Sequence, residues 1–513
     1  MKKTFLIATL VLQTIFAMAQ KEAPKNWFNL DPKKDKFNGV STERTYAELL
    51  KGKQGKQIIV AVIDGGTEVN HEDLKNIIWI NPGEIAANGI DDDRNGYVDD
   101  INGWNFIGGA DKNIDEDNLE LTRLYRKLKD QYGKVDTTAL EGEEIANYQY
   151  YQKVKADYMK GFNEYSMYLN FYKALGKGAE NIALKTGKDS LSMSEFKQYK
   201  PADMNESMAQ KSIEQSFKRG KKDYVVISKF SKGLEEAKTQ ISKFVDYHYN
   251  VDFDPRAEIV GDNYENAFER YYGNNKVSEP NGDHGTHVAG IIAAIRNNNI
   301  GMNGVADQVR IMVLRVVPDG DERDKDVANG IRYAVDMGAK VINMSFGKSY
   351  SPSKAAVDEA VKYALSKDVL LIHAAGNDNK NTDSLDNFPN DRIEGYTAQN
   401  WVEVGASGWR KKKEIPAEFS NYAAQNVDVF APGVDIYSCI PESRYASFNG
   451  TSMAAPVTAG VAAVIRSYYP QLTAAEVKTI IMESAIKVKG KVYKPGIKKK
   501  VAMTELCRTG GIV

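Results

Sequence analysis

Four short, β-branched runs punctuate the chain: QIIVAVID at 57–64, VRIMVLRVV at 309–317, KVINMSF at 340–346 and VLLIH at 369–373. Each is nearly continuous in apolar character rather than alternating, which is the pattern of strands buried on both faces of a parallel sheet. Segments with helical spacing lie between or beside them, at 284–295, 324–337 and 354–367. Strands alternating with helices of this length predict βαβ units, hence an α/β fold whose parallel sheet carries helices on both faces. In such sheets functional groups collect at the carboxyl ends of the strands.

The interval 112–255 breaks this rhythm, being rich in Tyr, Lys and Glu and almost free of strand-like runs. Tyr151, Val154, Tyr158, Phe162, Tyr165, Leu169 and Tyr172 recur every three or four residues, which predicts one long helix with an aromatic packing face. Further helices are expected near 204–218 and 233–248. The interval reads as a mostly helical insertion that splits the α/β domain into 57–111 and 256–513, with a short N-terminal segment at 20–56.

Composition narrows the partners. The 513 residues are 42% hydrophobic and 27% charged, an ordinary globular balance. Lys plus Arg (68) nearly cancels Asp plus Glu (69), so a net charge of -1 gives no global field to attract nucleic acid or an anionic membrane. The basic runs Lys411–Lys413 and Lys498–Lys500 read as solvated surface. Lys2 and Lys3, the apolar stretch Phe5–Phe16 and then Ala17-Met18-Ala19 follow the order of a cleavable export signal at 1–19. That stretch is too short to span a bilayer, so a periplasmic or extracellular protein without a stable membrane span is expected. Cys439 and Cys507 are too few for a disulfide scaffold and either pair or remain free and buried.

The chemistry gathers in four segments. In NGTSMAAP (449–456), Ser452 stands where a small-residue helix begins, a place that suits either a helix cap or a nucleophile beside free amides. A serine nucleophile needs a base, and the base needs a carboxylate. His284 opens HGTHVAG (284–290), and Asp64 closes the first buried strand in VAVIDGG (60–66). HAAGN (373–377) adds Asn377.

Together, and in the order Asp, His, Ser, these segments resemble the subtilisin-like (subtilase, S8) serine peptidases. The resemblance implies an endopeptidase acting on protein or peptide substrates through an acyl-enzyme, with no organic cofactor. It assigns Asp64 to orient the base, His284 to act as general base and acid, Ser452 as nucleophile, and Asn377 with the Ser452 amide as oxyanion donors. NMSFG (343–347) resembles the family's substrate-pairing strand, so Ser345, Phe346 and Gly347 are expected to bind the peptide backbone and wall the specificity pocket.

Two departures carry expectations. Gly65 stands where the family has Ser or Thr, which would remove a local hydrogen bond to Asp64. Asp283, beside His284, would raise the histidine pKa if it approached the ring. The family's pro-domain does not fit into 20–56, so the insertion is expected to cover the cleft. A silent scaffold that binds a partner through the insertion is the alternative. His287 and His373 read as packing residues. In GIDDDRNGYVDD (89–100), Asp91, Asp93, Asn95, Tyr97 and Asp99 have the alternate spacing of a calcium loop, although position twelve of an EF-hand would be Asn102.

Overall fold

The computed structural model describes residues 23–220, 223–278, 282–409 and 415–513, so the export signal and Lys411–Lys413 lie outside the described residues. The chain divides into two compact units, one of Leu121–Phe253 and one of Ala23–Glu120 with Asp254–Val513.

The larger unit is built on a nine-stranded sheet. Its strands are β1 (Ile58–Asp64), β2 (Gly103–Asn105), β3 (Val309–Arg315), β4 (Val341–Met344), β5 (Leu370–Ala374), β6 (Trp401–Ser407), β7 (Val429–Pro432), β8 (Ile486–Lys487) and β9 (Gly511–Ile512). They run in the order β8-β9-β7-β6-β5-β4-β1-β3-β2, parallel throughout except for the β8–β9 edge pair. β1 is central: Ile63 pairs with Leu314 on one side and with Met344 on the other.

The continuous apolar runs have a direct physical reason. Val60 and Val62 enter the core on one face of the sheet, while Ala61 and Ile63 enter the core on the other, all fully buried. A buried Val or Ile contributes about 1.5–3 kcal/mol, so two faces of burial set the strand firmly and place Asp64 at its carboxyl end. On the first face pack α1 (Asp283–Ala293) and α4 (Thr451–Tyr468); on the second pack α2 (Asp324–Asp336) and α3 (Lys354–Ser366). A fifth helix, α5 (Ala474–Ser484), starts at a Thr473–Glu476 capping box.

The smaller unit is helical, with Glu143–Thr186, Met204–Gly220 and Ile227–Lys243 around their own core and a two-stranded ribbon of Ser190–Ser192 and Tyr224–Val226. Of the aromatic stripe, Tyr151, Val154, Tyr158, Leu169 and Tyr172 are buried, and Tyr165 stacks on Phe244 at 4.0 Å. Cys439 and Cys507 are both buried and free. Among the described residues no helix is long and apolar enough to cross a membrane.

Candidate active site

Asp64, 3% exposed, ends β1 and faces the first turn of α1. The helix comes this close because residue 285 is glycine: a Cβ there would sit 2.1 Å from the Gly66 carbonyl and 3.1 Å from Asp64 Cβ. His284 then brings Nδ1 to 2.9 Å from both Asp64 Oδ1 and Oδ2. The carboxylate therefore accepts the Nδ1 proton and leaves Nε2 to act on substrate. Burial disfavours the charged imidazolium, but the Asp64 charge and hydrogen bond outweigh it and hold the His284 pKa above its ordinary 6.5. The His284 side chain keeps 40% exposure toward the cleft.

Both departures can be followed in the structure. Gly65 supplies its own amide to Asp64 Oδ1 at 2.8 Å, so the carboxylate keeps a local donor without a hydroxyl residue. Asp283 is exposed, and the elevation of His284 traces to Asp64 rather than to its neighbour.

Ser452 lies in the first turn of α4 and does not cap it. Instead of accepting a first-turn amide, its hydroxyl donates to the Ser345 carbonyl at 3.0 Å, and Ser345 Oγ returns a bond to the Ser452 carbonyl at 2.9 Å. Among the described residues, Ser452 Oγ makes no hydrogen bond to His284; such bonds often tighten only with substrate in place. A turn of its χ1 away from Ser345 frees the hydroxyl.

Asn377 is locked by its neighbour. Its Oδ1 accepts from the Thr451 amide at 2.9 Å and from Thr451 Oγ1 at 3.0 Å, which fixes the amide orientation and leaves Nδ2 as the outward donor. A carbon added at Gly450 would lie 3.5 Å from the Ser452 nitrogen and 3.7 Å from Asn377 Nδ2, so the two donors border one small space. That is the arrangement an oxyanion requires.

The loop behind Asn377 rests on Asn421, whose Nδ2 donates to Ala375 O at 2.8 Å while Oδ1 accepts the Asp378 and Lys380 amides. Thr451 was within reach of the sequence, because it sits inside the serine motif. Asn421 and Asn387 carry no such signal. Asn387 fits between the two segments that flank the serine: its Oδ1 would lie 2.7 Å from a Cβ on Gly347 and 3.8 Å from one on Gly376.

A cleft of about 340 Å³ opens in front of these groups, lined by Asp64, Gly65, His284, Val317–Asp319, Ser345 and Phe346 among others. A larger hollow of about 540 Å³ lies at the amino end of β1, beside Gln57, Lys75 and Arg310, away from the triad chemistry. Ser345 follows β4 directly and is buried; Phe346 is half-buried.

The other histidines pack. His287 is fully buried, stacks on Phe448 at 4.3 Å and bonds Ala446 O at 3.1 Å through Nε2; burial pushes its pKa down to about 3. His373 is fully buried, with Nδ1 2.9 Å from Glu403 Oε2.

Of the five residues in the expected calcium loop, the fold brings Asp93 alone to other carboxylates, those of Glu84 and Asp100, with ligand oxygens within 4.8 Å of one another. Asp91 accepts the Asn95 and Gly96 amides and Asp99 the Asn88 and Gly89 amides, so both act as turn acceptors. Asn95 donates to Asp93 and Asp100, and the Tyr97 ring is buried. Burial raises the pKa of Glu84 and of Asp100.

Comparison with known proteins identifies the family. Residues 55–506 match the subtilase family, peptidase S8. Thermitase from Thermoactinomyces vulgaris is 38% identical over 218 residues, 42% of this chain and 72% of that protein. Thermophilic serine proteinase from Bacillus sp. (strain AK1) is 39% identical over 209 residues, 40% of this chain and 48% of that protein. Subtilisin BL from Lederbergia lenta is 38% identical over 205 residues, 39% of this chain and 70% of that protein. A solved structure of proteases from Pseudoalteromonas arctica PAMC 21717 is 32% identical, covers 44% of this chain and 69% of that chain, and superposes with a TM-score of 0.36. The chain belongs to the subtilase family of serine peptidases.

Proposed function

We propose that the protein is an exported serine endopeptidase that hydrolyses peptide bonds through Asp64, His284 and Ser452. The observation that carries this is the His284 ring held at 2.9 Å by both oxygens of Asp64 in the cleft, beside the start of α4. Ser452 Oγ attacks the peptide carbonyl while its proton passes to His284 Nε2. Asp64 stabilises the imidazolium, and Asn377 Nδ2 with the Ser452 amide receives the oxyanion. His284 then protonates the leaving amine, and water repeats the sequence on the acyl-enzyme to release the acid and free Ser452. Export rests on the signal-like residues 1–19.

Calcium fits this reading as a structural ion near Glu84, Asp93 and Asp100, where three carboxylates converge and burial penalises the charge of Glu84 and of Asp100.

One observation favours a silent scaffold instead: the Ser452 hydroxyl is turned to Ser345 O rather than to His284. Fluorophosphonate treatment followed by mapping of the adduct, with Ser452→Ala as control, separates the two. An adduct confined to Ser452 is expected. The peptidase reading is abandoned if the native chain neither takes the label nor cleaves any peptide.

A further inference from the structure

The cleft has two walls, Val317–Asp319 and Ser345–Phe346. Followed away from Ser452, both walls arrive at one side chain. Lys348, 5% exposed, carries its ammonium to the Glu322 carbonyl at 2.8 Å, to Glu120 Oε2 at 2.8 Å and to Asp324 Oδ1 at 2.8 Å. It is a crossbar between the walls, held by one carbonyl and two carboxylates.

Backbone alternation shows which groups of each wall face the space it closes. Lys348 exchanges both main-chain bonds with Phe388, at 3.0 and 2.9 Å, on the side away from substrate. Successive residues of an extended strand point to opposite sides, so Ser345 and Gly347 face the cleft. The Ser345 carbonyl, 3.0 Å from Ser452 Oγ, agrees. On the other wall the Asp319 amide goes to Asp115 O at 2.7 Å, its carbonyl takes the Asp117 amide at 3.0 Å, and the Asp321 amide goes to Asn118 O at 3.3 Å. The same alternation leaves Gly320 and Glu322 for the cleft, and the Glu322 carbonyl is the one that Lys348 occupies.

A peptide lying extended between these walls runs from Ser345, beside the nucleophile, toward Gly347 and meets the crossbar. Three residues of strand at about 3.3 Å each give a run of about 10 Å, room for about three substrate residues. Moving Lys348 aside would strip a buried cation from Glu120 and Asp324, both nearly buried themselves, so the bar resists displacement.

We propose that the acyl-side half of the cleft is a blind channel closed by Lys348, which selects peptides cut about three residues from a free amino terminus. This rests on the serine-peptidase reading and departs from it in one respect, replacing internal cutting by cutting near a free amino terminus. The test is a series of peptides sharing one scissile sequence, with acyl sides from one to six residues, each with a free or an acetylated amino end. The catalytic efficiency kcat/KM should climb to about three residues and fall about tenfold or more beyond them, and acetylation at the optimum should lower it. Efficiency that stays level or climbs with longer acyl sides overturns the blind channel while leaving the peptidase intact, as does internal cutting of a denatured protein far from its amino end. Absence of both cleavage and Ser452 labelling overturns the peptidase reading and the channel with it. Lys348→Ala should admit the longer peptides; if that variant does not fold, the wild-type series still decides.

Discussion

Thr451→Val tests how the oxyanion site is held. Asn377 presents Nδ2 because two Thr451 donors grip its Oδ1, the amide at 2.9 Å and the hydroxyl at 3.0 Å. The hydroxyl also accepts the Gly376 amide at 3.1 Å, and Thr451 is fully buried. Valine keeps the shape and the backbone donor but removes the hydroxyl bond to Asn377, worth about 1 kcal/mol net, and strands the Gly376 amide at about 1–3 kcal/mol. Stability should therefore fall by about 2–4 kcal/mol. For catalysis one of two anchors survives, so about 1 kcal/mol of oxyanion stabilisation is lost and kcat should drop about fivefold to tenfold. Asn377→Ala removes the donor itself and should cost about 10²–10³ in kcat, the loss established for such a donor in a subtilisin. KM should hardly move in either variant, because the oxyanion exists only after attack. The assay is kcat and KM on a chromogenic peptide, below the melting temperature of the weaker variant. A Thr451→Val loss equal to that of Asn377→Ala, or one lying wholly in KM, would refute the argument.

Asp64→Asn should keep the fold but present an amide to His284 Nδ1, favouring the wrong tautomer and lowering kcat about 10⁴-fold; near-normal kcat would remove Asp64 from the triad. Because Asp64 raises the His284 pKa above 6.5, the base is protonated and activity lost as pH falls through a value higher than 6.5; an acid limb of kcat/KM at or below it contradicts the pairing. His287 has its pKa pushed down to about 3 from 6.5 by burial, so the stability that depends on its neutral form is complete above 6.5 and is lost toward pH 3. The slope approaches about 1.4 kcal/mol per pH unit, and His287→Phe should flatten it in urea titrations. Calcium at Glu84, Asp93 and Asp100 predicts a melting temperature that falls on chelation and recovers on adding calcium back, with Asp93→Asn weakening the response; indifference to chelator rules the ion out.

The parts of this protein that could be read from the chain are those in which function is written locally. Strands such as Ile58–Asp64 and Leu370–Ala374 are buried on both faces, so their whole length is apolar and their ends fall within a residue or two of the expected 57–64, 369–373 and 340–346. β2, β8 and β9 have two or three residues each, too few to carry any period, and their existence depends on neighbours in the sheet. The helix expected at 233–248 begins instead at Ile227, because its first amides are taken by Asp189, nearly forty residues upstream: Ile227 N to Asp189 O at 2.7 Å and Ser228 N to Asp189 Oδ1 at 2.7 Å. No residue before it signals a start. The same division runs through the site. Asp64, His284, Asn377 and Ser452 each sit inside a distinctive segment, whereas Asn421, Asn387 and Lys348 matter through groups supplied by distant parts of the chain. The acidic loop shows the opposite limit. Its spacing of Asp91, Asp93 and Asp99 is that of alternating ligands, but spacing cannot say which carboxylates converge, and the fold sets Asp93 with Asp100 and with Glu84, which lies outside the motif. Lys348 is the case with the largest functional consequence. In sequence it is a lysine after a glycine; in the fold it is a buried cation joining two cleft walls, and the proposed blind channel rests on it.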